Sequence, residues 1–253
     1  MKNKSKIIII AIIVILIVAT IKIKNKIEYN NFPKIEELKL AKKINKDTVG
    51  WIYIPKTNIN YPVMYKENNY YLNYSFENEK ATSGSVFTSN ENKNQNISIT
   101  GHNSRVSVSK LYWLHNIKDI NLGLNTSCYE INKLSLNKQD MPNFENKKDR
   151  IWYVSIFGIT GKWEVWAMYE TSPDESKETF YYNTWTSNQE NHYPLKTKDD
   201  INKWIDFQIN KSTYNFNVRP TYQDQFLTIY TCSCKYYEEE NESRLYFFLK
   251  KID

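Results

Sequence analysis

Glycine is scarce in this chain: six residues in 253, dispersed along its length. That excludes a phosphate-cradling glycine loop and a G-x-G-x-x-G dinucleotide turn. Arginine occurs only at positions 105, 150, 219 and 244, so nearly all of the 34 basic residues are lysine. Histidine is limited to His102, His115 and His192, and cysteine to Cys128, Cys232 and Cys234. Structural zinc normally takes four ligands at tight spacings. Here a single Cys-x-Cys pair has no second pair, and His115 and His192 lie in dissimilar contexts, so no metal and no cofactor are expected. No internal repeat and no βαβ alternation are present, which argues against a parallel α/β sheet.

The formal charge of +6 does not point to nucleic acid. Lys2, Lys4, Lys6, Lys22, Lys24 and Lys26 bracket one apolar run, and the rest of the chain is close to neutral without them. That run, Ile7 to Ile21, holds 15 residues. As a helix it spans about 22 Å. Flanking lysines snorkel, so the reading is a short cytoplasmic tail over 1–6 and a single-pass membrane anchor over 7–23. A cleaved signal peptide is the alternative, but "VATIKIK" is a poor small-x-small site. The long body, carried C-terminal to the anchor, is then expected on the extracellular side of the cell membrane.

What remains is long enough to bury a core without disulfides. Twenty tyrosines and few glycines suit a β-rich body. Residues 24–48 are polar, with Leu38, Leu40, Ala41 and Ile44 at helical spacing after Pro33, and read as a stalk with a helix over about 33–45. From Val49 the pattern alternates: "GWIYIPKTNINYPVMY", "SGSVFTS" (83–89) and "NISIT" (96–100) read as short strands, with prolines at edges. "RIWYVSIFGI" and "KWEVWAMYE" read as a hairpin turning at Gly161. Ile201, Trp204, Ile205 and Ile209 fall on one face of a helix over 198–212, with Asp199 and Asp200 at its N-terminal end. Strands "QFLTIYTC" and "RLYFFLKK" follow. Residues 121–149 have weak periodicity and read as an irregular insertion or two short helices. The sum is a mainly β body, a barrel or sandwich with appended helices.

Three cysteines cannot all pair, and a bridge across one residue is strained, so at least one thiol is left over. A cysteine nucleophile requires a base or cation nearby and a donor for the oxyanion. His102 ends a strand in "TGHN", where side chains become available for chemistry. Arg244 opens the last strand. Taken singly, each has a plainer reading: a loop histidine, a surface arginine paired with Glu242, a buried thiol.

Together, "TGHN", "TIYTC" (228–232) and Arg244, twelve residues beyond the cysteine, resemble the sortase family of Gram-positive cysteine transpeptidases. The resemblance covers most of residues 45–253 and is closest to class B, through "DTVGWIYIPKTNINYPVM", "NNYYLNYSF" and the helix ahead of the cysteine strand. It implies a closed eight-stranded β-barrel over 49–253, with N-terminal helices and a helix inserted before the Cys-bearing strand. The implied reaction cleaves a C-terminal sorting signal of a surface protein, of Asn-Pro-x-Thr type, through a thioester. The acyl group passes to a peptidoglycan precursor amine or a pilin Lys. By position, Cys232 is the nucleophile, His102 the general acid and base, and Arg244 the oxyanion donor. Asn68, Leu72, Tyr214 and Thr231 match substrate-groove positions. Class B members often carry an acidic residue two after the nucleophile; here it is Cys234. The insertion around 121–149, with Cys128 inside it, is also longer than the family suggests. The rival readings are a thiol peptidase using water, a catalytically silent surface-binding module and a zinc module.

Overall fold

The structure is a computed structural model that describes residues 2–89, 95–103, 111–124, 141–186, 195–234 and 242–253. Two helices, α1 (Lys2–Asn30) and α2 (Ile35–Ile44), precede strands β1 (Thr48–Tyr53), β2 (Asn60–Met64) and β3 (Asn96–Thr100). Helix α3 (Trp113–Asn121) leads to the pair β4 (Ile151–Ile156) and β5 (Ile159–Glu170). Helices α4 (Pro173–Thr184) and α5 (Lys198–Lys211) come before β6 (Phe226–Cys232) and β7 (Arg244–Lys251).

The strands form one curled half-barrel sheet in the order β2-β1-β4-β5-β7-β6-β3. All neighbours are antiparallel except β3 and β6, which run parallel. Pro62 lies in β2, an edge strand where a missing N–H costs no ladder bond. Ile52, Ile99, Trp152, Val154, Val165, Leu227, Ile229, Phe247 and Leu249 fill the concave side as the main core. The other side of β5-β7-β6 packs Trp166, Phe226 and Phe248 against Trp204 of α5. Helix α5 buries Ile201, Trp204, Ile205 and Gln208. Thr197 caps it, accepting a hydrogen bond from the Asp200 N–H at 3.1 Å.

The closed eight-stranded barrel is not what forms: the sheet is open, with seven strands among the described residues. "SGSVFTS", expected as a strand, supplies isolated bridges only. Gly84 takes a φ of +51°, and the Ser85 hydroxyl donates to the Tyr74 carbonyl, so the chain reaches pairing geometry at Val86 and keeps it briefly. There the Met64 N–H donates to Val86 and the Thr88 N–H to Met64, while Phe87 and Thr100 exchange two bonds of 2.8 Å. These few bonds touch both edge strands without making an eighth.

The β4–β5 turn also differs. It is the two-residue loop Phe157-Gly158, whose φ values of 48° and 85° suit a type I′ hairpin. Gly161 pairs with Val154 inside β5. A phenylalanine at positive φ is uncommon, which is why the turn was expected elsewhere.

The N-terminal anchor is overturned. Among the described residues, no helix is long and apolar enough to cross a membrane. Helix α1 is 29 residues long, but the apolar part between its lysine-rich ends spans only about 22 Å, short of a hydrocarbon core of about 30 Å. The membrane contact and extracellular placement that rested on the anchor fall with it. Cys128, His192 and much of the insertion, residues 125–140, lie outside the described residues. The insertion's near ends meet at Asn121, whose amide donates to the Pro142 carbonyl and accepts from the Phe144 N–H.

Candidate active site

Strand alternation decides which side chains share a face. In β6, Leu227 and Ile229 point into the main core, as do Ile97 and Ile99 of β3 and Leu245, Phe247 and Leu249 of β7. Residues between them face the other way. Antiparallel pairing sets Cys232 directly opposite Arg244. Parallel pairing sets Thr100 beside Tyr230, and two residues further on each chain come His102 and Cys232. Three adjacent strand ends therefore present an imidazole, a thiol and a guanidinium on one face. All three line a single cleft of about 570 Å³, whose walls include Leu72, Phe180 and Tyr181.

Each group is held from behind. His102 Nε2 lies 2.8 Å from the Leu72 carbonyl. A carbonyl only accepts, so Nε2 carries the proton and Nδ1 is left to exchange one. Cys232 is a free thiol, partly exposed. The Thr231 hydroxyl donates to the Gly101 carbonyl at 2.7 Å, tying the end of β6 to the loop that carries His102. The Arg244 N–H donates to the Thr171 hydroxyl at 3.0 Å and its carbonyl accepts from the Thr171 N–H at 2.9 Å.

Beneath Cys232 lies a buried polar group. Its carbonyl accepts from Asn103 Nδ2 and from His115 Nε2, both at 3.0 Å. His115 Nδ1 faces the Cys234 sulfur at 3.3 Å and a Glu170 oxygen at 4.0 Å. Lys118 donates to the other Glu170 oxygen at 2.6 Å. Burial drives the His115 pKa down to about 4, against the opposing pull of Glu170. Burial raises the Glu170 carboxyl, but Lys118 and then His115 outweigh it and hold it below its ordinary value. His115, Glu170 and Cys234 come close enough to suggest a metal. However, Cys234 is disulfide-bonded and Glu170 is already neutralised by Lys118, so the donor set lacks the thiolate and free carboxylate that a cation would take.

The other expected groove residues divide. Leu72 lines the cleft, beside Asn69. Asn68 precedes it at a φ of 58° and is not among the lining residues. Tyr214 borders a separate cleft of about 440 Å³ with Trp166 and Arg219. Thr231 is buried, its hydroxyl spent on Gly101. Sequence reasoning missed the aromatic wall from α4 and the His115 group. The first had a signal: "SPDE" places an N-cap serine, a first-turn proline and two acids in order, and the Ser172 hydroxyl does accept from the Glu175 N–H.

No protein-family model matches the chain. Sortase B of Listeria monocytogenes is 30% identical over 199 residues, covering 78% of this chain and 67% of that protein. Sortase B of Staphylococcus aureus is 29% identical over 209 residues, 81% of this chain and 70% of that one. Among solved structures, Clostridium perfringens sortase B superposes with a TM-score of 0.62 at 24% identity, covering 85% of this chain and 99% of its own. By this sequence similarity to curated sortases, and by a fold that agrees with theirs, the chain belongs to the sortase family and is class B-like.

Proposed function

We propose that this sortase-type transpeptidase uses Cys232, His102 and Arg244 on a sorting-signal peptide of Asn-Pro-x-Thr type. Cys232 passes its thiol proton to His102 Nδ1, and the resulting thiolate attacks the carbonyl carbon after the threonine, forming an S–C bond and a tetrahedral oxyanion. Arg244 donates to that oxygen; its fixed, always-charged fork suits the task better than lysine. As the C–N bond breaks, His102 gives a proton to the leaving amine, and the peptide remains as a thioester. An incoming amine, from a peptidoglycan precursor or a pilin lysine, then attacks the thioester carbon. His102 takes its proton and the thiolate leaves, restoring the enzyme.

One observation carries the reading: the three groups share one face of three adjacent strand ends and open into one cleft. The relatives add support for substrate and acceptor class. Staphylococcus aureus sortase B has been solved as a substrate complex, with a TM-score of 0.58 at 24% identity, and a sortase B has been solved in complex with triglycine.

The test is cleavage of a quenched sorting-signal peptide by the full chain, with and without triglycine, read by fluorescence and product mass. The expected result is a triglycine-ligated product that disappears in Cys232→Ala. A product that never incorporates the amine would make the chain a thiol peptidase. No cleavage of any sorting-signal peptide, with no modification of Cys232, would leave only a binding module.

A further inference from the structure

The Cys232 carbonyl accepts two side-chain hydrogen bonds, one for each lone pair. Asn103 Nδ2 comes from the loop beyond β3 and His115 Nε2 from α3, each at 3.0 Å. Neither residue has a role in the reaction derived above. His115 is fully buried, and a fully buried imidazole is costly to place without purpose. Its surroundings are just as determined. Glu170, at the end of β5, is fixed by Lys118 and accepts from the Ser233 hydroxyl. Ser233 is the next residue after the nucleophile, and its N–H donates to the Ser243 carbonyl, next to Arg244.

We propose that Asn103 and His115 are positioning residues that clamp the Cys232 peptide and keep the thiol aligned with His102. This rests on the catalytic reading above. The last pair of the sheet ladder is Cys232–Arg244, and the peptide that follows is held on its N–H edge by one cross-strand bond, Ser233 to the Ser243 carbonyl at 2.9 Å. Asn103 and His115, one from the loop after β3 and one from α3, hold its carbonyl edge. Asn103 also directly follows His102 in sequence. Its amide therefore ties the loop bearing the acid–base group to the backbone bearing the nucleophile, and the two move together. The group facing His115 comprises Lys118 on its own helix, Glu170 from β5 and the disulfide-bonded Cys234 after β6. None of these reaches the cleft lining, so the clamp acts from below.

The experiment compares His115→Leu, His115→Gln and Asn103→Leu in the full chain. Three quantities are read: kcat and KM on the sorting-signal peptide, the rate of iodoacetamide alkylation at Cys232 located by peptide mapping, and the urea midpoint. Loss of one hydrogen bond predicts about a tenfold fall in kcat for each Leu variant, with KM nearly unchanged. Alkylation should slow in parallel. His115→Gln, which keeps a donor, should recover to within about threefold of the parent. Parental kcat and alkylation in a folded Leu variant would overturn the clamp. So would a Gln variant no better than Leu, or an effect confined to KM. If His115→Leu does not fold, Asn103→Leu, at the edge of the buried group, decides alone. Alkylation needs no peptide, so a parent chain that turned over no sorting signal would refute the catalytic reading while the clamp was still decided by the thiol.

Discussion

A single methyl group at Gly84 should disable His102 from a distance. Gly84 has a φ of +51°, and a Cβ there would stand 2.4 Å from the Leu72 carbonyl oxygen and 2.6 Å from that of Tyr71. The Leu72 oxygen is the one that holds His102 Nε2 at 2.8 Å. To reach even 3.0 Å, the new methyl and that oxygen must part by at least 0.6 Å. The Tyr71 carbonyl resists, because it accepts from the Ser85 N–H at 2.9 Å. A shift of that size along the His102 bond would take it past the usual 2.7–3.2 Å range. Left-handed alanine costs about 1–2 kcal/mol, and overpacking against fixed backbone about 1–3 kcal/mol more. Gly158→Ala isolates the first cost: its φ is +85°, and nothing lies within 4 Å of a Cβ there. The two variants should therefore differ by about 1–3 kcal/mol in urea unfolding. Gly84→Ala should also lose roughly 100-fold in kcat/KM through misplacement of the imidazole, while Gly158→Ala keeps parental turnover. Equal destabilisation of the two, with Gly84→Ala still fully active, would refute the reasoning.

Arg244→Lys should lower kcat/KM by about 10²–10³, a loss of oxyanion stabilisation worth about 3–4 kcal/mol; circular dichroism should show the fold intact, because the backbone bonds to Thr171 remain. His115, whose pKa burial lowers to about 4 from an ordinary 6.5, stays neutral in the fold while the unfolded chain takes up a proton. Stability should thus fall as pH drops from about 6.5 towards 4, by at most about 3 kcal/mol, and His115→Gln should flatten that slope in urea midpoints taken across the window. Trp204→Ala empties a fully buried site against Trp166, Trp185, Phe226 and Phe248 and should cost about 3–5 kcal/mol in the same assay.

Elements whose buried face is apolar were readable from the chain alone. Helix α5 shows its stripe because it lies on a flat aromatic surface, and β6 and β7 read as short apolar runs because both of their faces are buried, one in the main core and one under α5. Elements that bury polar groups were not readable. Helix α4 buries Ser176, Asn183 and Thr184. The Asn183 carbonyl accepts from Asn96 and Thr228 and its side chain from Tyr169, so its inner face carries no hydrophobic signature. Helix α3 carries an apolar stripe of Trp113, Leu114, Ile117 and Ile120, but it is buried nearly all round, and the stripe gives no sign that His115, Lys118 and Asp119 are buried too. The three residues of the proposed reaction carry motifs in the sequence, but the buried group beneath Cys232 does not. Asn103 and His115 meet only through a carbonyl 129 and 117 residues away, and a backbone acceptor has no sequence signature. Tyr214 shows the converse: a position carried over by resemblance, which the fold turns toward Phe144 and a different cleft.

The direction of one strand pair brings His102 and Cys232 to the same end of the sheet. Both end their strands, and strand ends meet only when neighbours run the same way. The β3–β6 pair does so; antiparallel pairing at that edge would send the imidazole to the far end of β6, some seven residues or about 23 Å away. Arg244 obeys the opposite requirement. It begins its strand, so it reaches Cys232 only because β6 and β7 are antiparallel. The mixed edge is thus a requirement of the proposed chemistry, and its register is held by core residues outside the cleft. Slipping β7 by one residue would bring Arg244 onto the face now filled by Leu245, Phe247 and Leu249 and turn those three side chains into the layer under α5 now filled by Tyr246 and Phe248. The cost of placing a guanidinium in the main core, with overpacking of about 1–3 kcal/mol at each mismatched site, is what keeps Arg244 opposite the sulfur.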